Sequence, residues 1–102
     1  MSNLRMTFTT GVVLQSIARG YSYGFDIMDV SGLPDGTVYP ALRRLEDAGM
    51  LESEWETEDV AGKRPQRCYY RLTPNGEEML ATARSRFPAL GGAIPESETE
   101  TH

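Results

Sequence analysis

At Gly49 the hydrophobic period of this chain changes from helical to alternating, and the order of the two regimes restricts the fold more than any other feature. Upstream, Val13, Leu14, Ile17 and Ala18 fall on one stripe, which predicts a helix from about Thr9 to Arg19 that Gly20 ends. Ser22 is the expected N-cap of a shorter second helix carrying Phe25, Ile27, Met28 and Val30, closed by Gly32 and Pro34. In the third, Val38, Ala41, Leu42, Leu45 and Gly49 share one face while Tyr39, Arg43, Glu46 and Asp47 share the other. Pro40 has no N–H and is comfortable only in a first turn, so this helix is expected to start near Gly36 or Thr37.

Downstream, Leu51, Ser53, Trp55 and Thr57 alternate with Glu52, Glu54 and Glu56, and Cys68, Tyr70 and Leu72 alternate with Arg67, Tyr69 and Arg71. Gly62 and Pro65 supply the turn in the intervening loop, Asp59 to Pro65, so the two runs form a β-hairpin. Its glutamate row then lies beside Arg67 and Arg71, where cross-strand ion pairs are expected. Thr73-Pro74 opens a further helix with a stripe of Met79, Leu80, Ala83 and Phe87, and Pro88 stops it. From Gly91 the sequence offers no face to bury, so residues 91–102 are expected to be a disordered acidic tail behind a single domain of residues 1–90. The predicted fold class is α+β and mainly helical. Three helices, a two-stranded hairpin wing and a C-terminal helix are the order of a winged helix-turn-helix.

Much chemistry is excluded by inventory. The one histidine, His102, is the last residue, and the one cysteine, Cys68, has no clustered ligand near it, so a zinc site or a Cys–His dyad lacks its parts. Cys68 is read as a small core residue. Gly62-Lys63-Arg64 is followed by no Ser or Thr and lacks the glycine spacing of a phosphate loop. The row Glu52, Glu54, Glu56 reads as a solvated strand face rather than a catalytic pair. No cofactor and no enzymatic activity are expected. The longest aliphatic run, Val12-Val13-Leu14, is far too short for a membrane span and the N-terminus has no signal-like core, so the expected location is the reducing cytoplasm. The net charge of −5 falls partly on Glu96, Glu98 and Glu100, which leaves a nearly neutral body on which a basic edge can still steer DNA.

The function compatible with this inventory is geometric. A helix fits the major groove of B-DNA if one side holds it to the body and the other reaches base edges and phosphates. On the third helix Tyr39 and Arg43 lie one turn apart on the outer side and Thr37 sits near its start, where backbone N–H groups approach a phosphate. Arg43 is the candidate for direct base contact, and Lys63 with Arg64 forms a cationic tip suited to phosphates or the minor groove. Each residue has a quieter reading: Arg43 and Arg44 paired with Glu46 and Asp47, Tyr39 as a half-buried aromatic, Lys63-Arg64 as a soluble turn. The coincidence of both basic sites where this architecture would present them to a duplex favours DNA. The alternative is a winged-helix protein-interaction module without DNA binding.

Three stretches carry a family resemblance: Tyr21-Ser-Tyr-Gly-Phe-Asp-Ile-Met28, Gly36-Thr-Val-Tyr-Pro-Ala-Leu-Arg-Arg-Leu-Glu-Asp-Ala-Gly49 and Gly62-Lys-Arg-Pro-Gln-Arg-Cys-Tyr-Tyr-Arg-Leu-Thr-Pro-Asn-Gly76. Over roughly residues 8 to 88 the chain resembles PadR-type bacterial transcriptional regulators. The resemblance implies a homodimeric repressor that reads an inverted-repeat operator in double-stranded DNA. It places Tyr39, Pro40 and Arg43 at recognition-helix positions, Tyr23 and Gly24 near the DNA backbone, and Lys63 and Arg64 in the wing; Arg44 and Arg67 complete the candidate contact set. Many members carry a longer C-terminal dimerisation domain than this chain. A small interface built from Met6, Phe8, Met79 and Phe87 is therefore expected, unless these side chains only complete the monomer core. Some members are released from DNA by aromatic or drug-like effectors, for which Trp55 and Met79 are the candidate lining; core packing is the favoured reading of both.

Overall fold

The Thr7 hydroxyl accepts a hydrogen bond from the Thr10 N–H and starts α1 (Phe8–Ala18) in a computed structural model that describes residues 6–97. All eight residues from Thr10 to Ile17 are buried, so α1 is enclosed on every side rather than along one stripe. Its polar members tolerate this because each is satisfied. Ser16 Oγ donates to the Val12 carbonyl at 2.8 Å, and Gln15 accepts from Arg84 Nε at 2.9 Å and donates to the Gly91 carbonyl at 3.4 Å. Gly11 lets Leu90 approach: a Cβ there would lie 2.9 Å from a Leu90 methyl.

The second helix, α2 (Gly24–Ser31), begins behind Tyr23 with no side-chain cap. Ser22, expected as that cap, lies one residue before the true cap position, and its carbonyl accepts the Tyr70 N–H at 2.8 Å. The third, α3 (Asp35–Asp47), starts directly after Pro34, earlier than expected, and so carries Pro40 in its interior. Pro40 and Gly36, whose carbonyl loses its usual donor there, both lie on the exposed side. Val38, Ala41, Leu42 and Leu45 face the core as predicted. A left-handed Gly49 then ends the helix, with Met50 N–H returning to the Leu45 carbonyl and Gly49 N–H to Glu46.

Strands β1 (Leu51–Trp55) and β2 (Cys68–Leu72) pair antiparallel in the register Leu51 to Leu72 and Trp55 to Cys68. Tyr23 adds an isolated antiparallel bridge to Tyr69. The loop between the strands is more than a turn: Thr57 caps α4 (Glu58–Ala61) by accepting the Val60 N–H, and Gly62 at φ 64° leaves it. The last long helix, α5 (Pro74–Arg86), opens at Thr73-Pro74 as expected, with the Thr73 hydroxyl accepting the Gly76 N–H at 3.0 Å. Gly76 sits hard against the Met50 carbonyl, which a Cβ would strike.

Burial falls along β1, from Leu51 at 2% exposed to Trp55 at 64%, because the helices cover only the near end of the hairpin. Trp55 is thus an exposed side chain of the projecting wing, where the alternating pattern had placed it inside. Cys68 is half-buried. Met79 does pack against the core, as do Met6 and Phe87. Packing against the body continues past residue 90. A 3₁₀ turn (Pro88–Gly92) buries Leu90, and Ile94 and Ser97 are buried behind it. The Arg19 guanidinium donates to the Gly91 carbonyl at 2.8 Å and pairs with Glu96 at 3.2 Å, while the Ser97 N–H donates to the Arg19 carbonyl. Residues 98–102, including His102, lie outside the described residues. Among those described, no helix is long and apolar enough to cross a membrane.

Ile94→Ala is expected to destabilise the fold by about 2–5 kcal/mol, the usual range for truncating a buried isoleucine. Urea denaturation reads this as a lower midpoint, whereas an unchanged midpoint would mean that residues 91–97 are not part of the packed body.

Candidate nucleic-acid interface

Facing the core with every fourth or third residue, α3 turns Tyr39, Pro40, Arg43 and Arg44 outward, all four exposed. Neither arginine forms an ion pair among the described residues, and Glu46 accepts a hydrogen bond from the Ser53 hydroxyl at 2.6 Å. Thr37 is half-buried and its N–H donates to the Pro34 carbonyl at 2.9 Å, so that group is not free for a phosphate. Burial raises the Tyr39 phenol above its ordinary pKa, with further contributions from Tyr23 and Asp35, so it remains a hydrogen-bond donor.

A chain of close contacts leads from this helix to the wing. Gly24 is buried, and a Cβ there would lie 2.7 Å from Tyr39 Cε1, so a larger residue would push the Tyr39 ring off the start of α2. Next to it the Tyr23 ring packs 5.8 Å from the Tyr69 ring, with the Arg67 guanidinium stacked 4.7 Å above the Tyr23 centroid. Arg67 was expected in the glutamate row. Only Arg71 takes that place, pairing with Glu52 at 2.8 Å and Glu54 at 3.5 Å.

Glu56 completes the connection. Its side chain, 7% exposed, is not a member of a solvated face: it accepts Arg64 Nη1 at 2.7 Å and Nη2 at 3.0 Å, the Arg67 N–H at 3.1 Å and the Tyr69 hydroxyl at 2.9 Å. These donors, the Arg64 bonds foremost, hold its carboxyl down at about 2 against an opposing push from burial. Of the two tip cations, Lys63 is exposed with no partner among the described residues, and Arg64 is committed to Glu56. The sequence conceals Glu56 because alternation groups it with Glu52 and Glu54. The available signal is Thr57-Glu58-Asp59, an N-cap with an acidic first turn, which folds the loop back and brings Arg64 to the carboxylate.

Elsewhere on the surface Phe8, 44% exposed, meets Phe87 edge to face with centroids 5.7 Å apart. Trp55 lies in a shallow cleft of about 270 Å³ with Glu54, Thr57, Val60 and Tyr69, and Met79 is not part of its lining.

The chain matches the family model described as "Transcriptional regulator PadR-like family" over residues 13–82. Solved structures similar to it include a PadR family transcription regulator from hypervirulent Clostridium difficile R20291, 26% identical with a TM-score of 0.64 over 81% of this chain and 91% of that one. A PadR-like transcription factor from Bacteroides fragilis is 26% identical with a TM-score of 0.67, over 81% and 82% of the two chains. A transcriptional regulator from Clostridium thermocellum is 25% identical with a TM-score of 0.68, over 79% and 83%. No curated protein matches the chain at a significant level.

The depressed Glu56 carboxyl carries a pH prediction. Its folded value of about 2 lies below an unfolded value of about 4.3, so the unfolded chain binds the proton more tightly. The stabilisation is therefore complete above about pH 5 and is lost as pH falls through the folded value. The gap between the urea midpoints of the native chain and Glu56→Gln should be widest near pH 6 and narrow toward pH 2; parallel curves would contradict the assignment.

Proposed function

We propose, since this chain belongs to the PadR-like family of transcriptional regulators, that it is a cytoplasmic repressor which binds an inverted-repeat operator as a homodimer. In this reading α3 enters the major groove. Arg43 reads a base edge, most effectively the paired acceptors of guanine, while Tyr39, Pro40 and Arg44 line the groove wall. Tyr23, held under Arg67, meets the sugar–phosphate backbone, Gly24 keeps Tyr39 seated, and Lys63 carries the wing to phosphates or the minor groove. A two-fold pair joined through the Phe8–Phe87 surface, with Met6 and Met79 behind it, would present two such helices to two half-sites.

The observation that carries this reading is the outer face of α3, with two arginines that have no acidic partner among the described residues, joined through Tyr39, Gly24, Tyr23 and Arg67 to the wing. With a net charge of −5, the rest of the surface repels a polyanion and confines it to that face.

Selection of bound genomic fragments followed by mobility-shift titration tests it. Arg43→Ala should cost about 1–3 kcal/mol on the selected operator and relax one base position, and Lys63→Ala should weaken all sequences alike and lower the salt slope by about one. Equal losses on operator and random DNA for both variants would remove this division of roles, and no retardation of any fragment at low salt would favour the protein-interaction module.

A further inference from the structure

Adjacent cations usually make a stronger phosphate site than one alone, yet Lys63 and Arg64 are in unequal positions. Arg64 is half-covered, gives two parallel N–H bonds to Glu56 and a third to the Pro65 carbonyl at 3.2 Å, and has its charge cancelled at contact distance. The Glu56 carboxylate is saturated in turn, with Arg64, the Arg67 N–H and the Tyr69 hydroxyl filling about the four acceptor sites such a group has. Its backbone also clamps the loop, the N–H donating to the Arg67 carbonyl at 2.8 Å and the carbonyl accepting the Gln66 amide. One side chain thus ties the tip of the wing to Tyr69, which itself lies against Tyr23 of the helix-side surface.

Building on the DNA-binding reading, we propose that Glu56 is a positioning residue which withholds Arg64 from DNA, fixing the wing's shape and leaving Lys63 as the cation that meets a phosphate. The competition is between two anions for one guanidinium. The enclosed carboxylate is already aligned with both Arg64 nitrogens, whereas a phosphate would have to displace it and leave a largely covered carboxylate without its compensating charge. Removing the charge of Glu56 while keeping an acceptor frees Arg64 to act as a second contact.

The test is the salt dependence of affinity for a random-sequence 20-bp duplex, measured on the intact chain, where each phosphate contact adds about 0.9 to the slope of log K against log salt. Glu56→Gln should steepen the slope by about 0.9. Glu56→Gln with Arg64→Gln, which removes the pair without changing net charge, should return it to the native value, and Lys63→Gln should flatten it by about 0.9. A native-like thermal transition certifies each variant. If Glu56→Gln does not fold, the native chain still decides: on adding duplex, the Arg64 guanidinium Nε–H resonance should stay in place while Lys63 side-chain resonances move. A flatter slope in the charge-neutral double variant, an unchanged slope in folded Glu56→Gln, or a shifted Arg64 resonance would overturn the proposal. Failure of the native chain to bind any duplex at low salt would overturn the DNA-binding reading itself, and this inference with it.

Discussion

From Thr10 to Ile17 α1 has no side open to solvent, and the rest of the structure is arranged to meet that condition. Burying Val13, Leu14 and Ile17 is worth about 1.5–3 kcal/mol each, but only if layers close over them from several directions. Helices α2 and α3 form one cover, β2 and α5 form others, and the segment after α5 closes what remains. Having spent Val38, Ala41, Leu42 and Leu45 on this enclosure, α3 has nowhere to put Arg43 and Arg44 except outside. The exposed basic face is a consequence of how the core is made.

That face becomes a larger surface through contacts which add little apolar burial but fix relative position. Gly24 lets two helices touch at the Tyr39 ring, and the Tyr23–Tyr69 bridge attaches the segment before α2 to the hairpin. Arg67 over Tyr23 and the Glu56 cluster then carry the connection to the wing tip. The exposed pairs of Arg71 with Glu52 and Glu54 lie on the outside of the same hairpin, where solvent screening leaves ion pairs small effects. With its side chain largely covered and hydrogen-bonded, Glu56 has a different standing from its two neighbours in the alternating row.

What was legible from residues alone follows from how strongly each pattern was expressed. The two-sidedness of α3, the hairpin and the Thr73-Pro74 start of α5 rest on repeated periodicity or on stereochemistry that few alternatives satisfy. The full burial of α1 was hidden because Thr10, Gln15 and Ser16 look like a solvent face, and only distant partners such as Arg84 and Gly91 make them tolerable inside. Leu90 and Ile94 are too sparse to announce a packed segment; what anchors them is Arg19, more than seventy residues earlier. Alternation put Trp55 inside because it cannot tell how far along a strand the covering helices reach. At the candidate site the positions on α3 were legible, whereas the carboxylate that organises the wing depends on a helical turn between the strands.

In the proposed complex the outer side of α3 and the wing meet one duplex together. Backbone amide spectra of the isotope-labelled chain, titrated with its selected operator duplex, test this most directly. Tyr23, Tyr39, Arg43, Arg44 and Lys63 are expected to shift together at one stoichiometry while the outward side of α5 stays still. Shifts confined to α1 and α5, or separate saturation of the helix and wing signals, would contradict it.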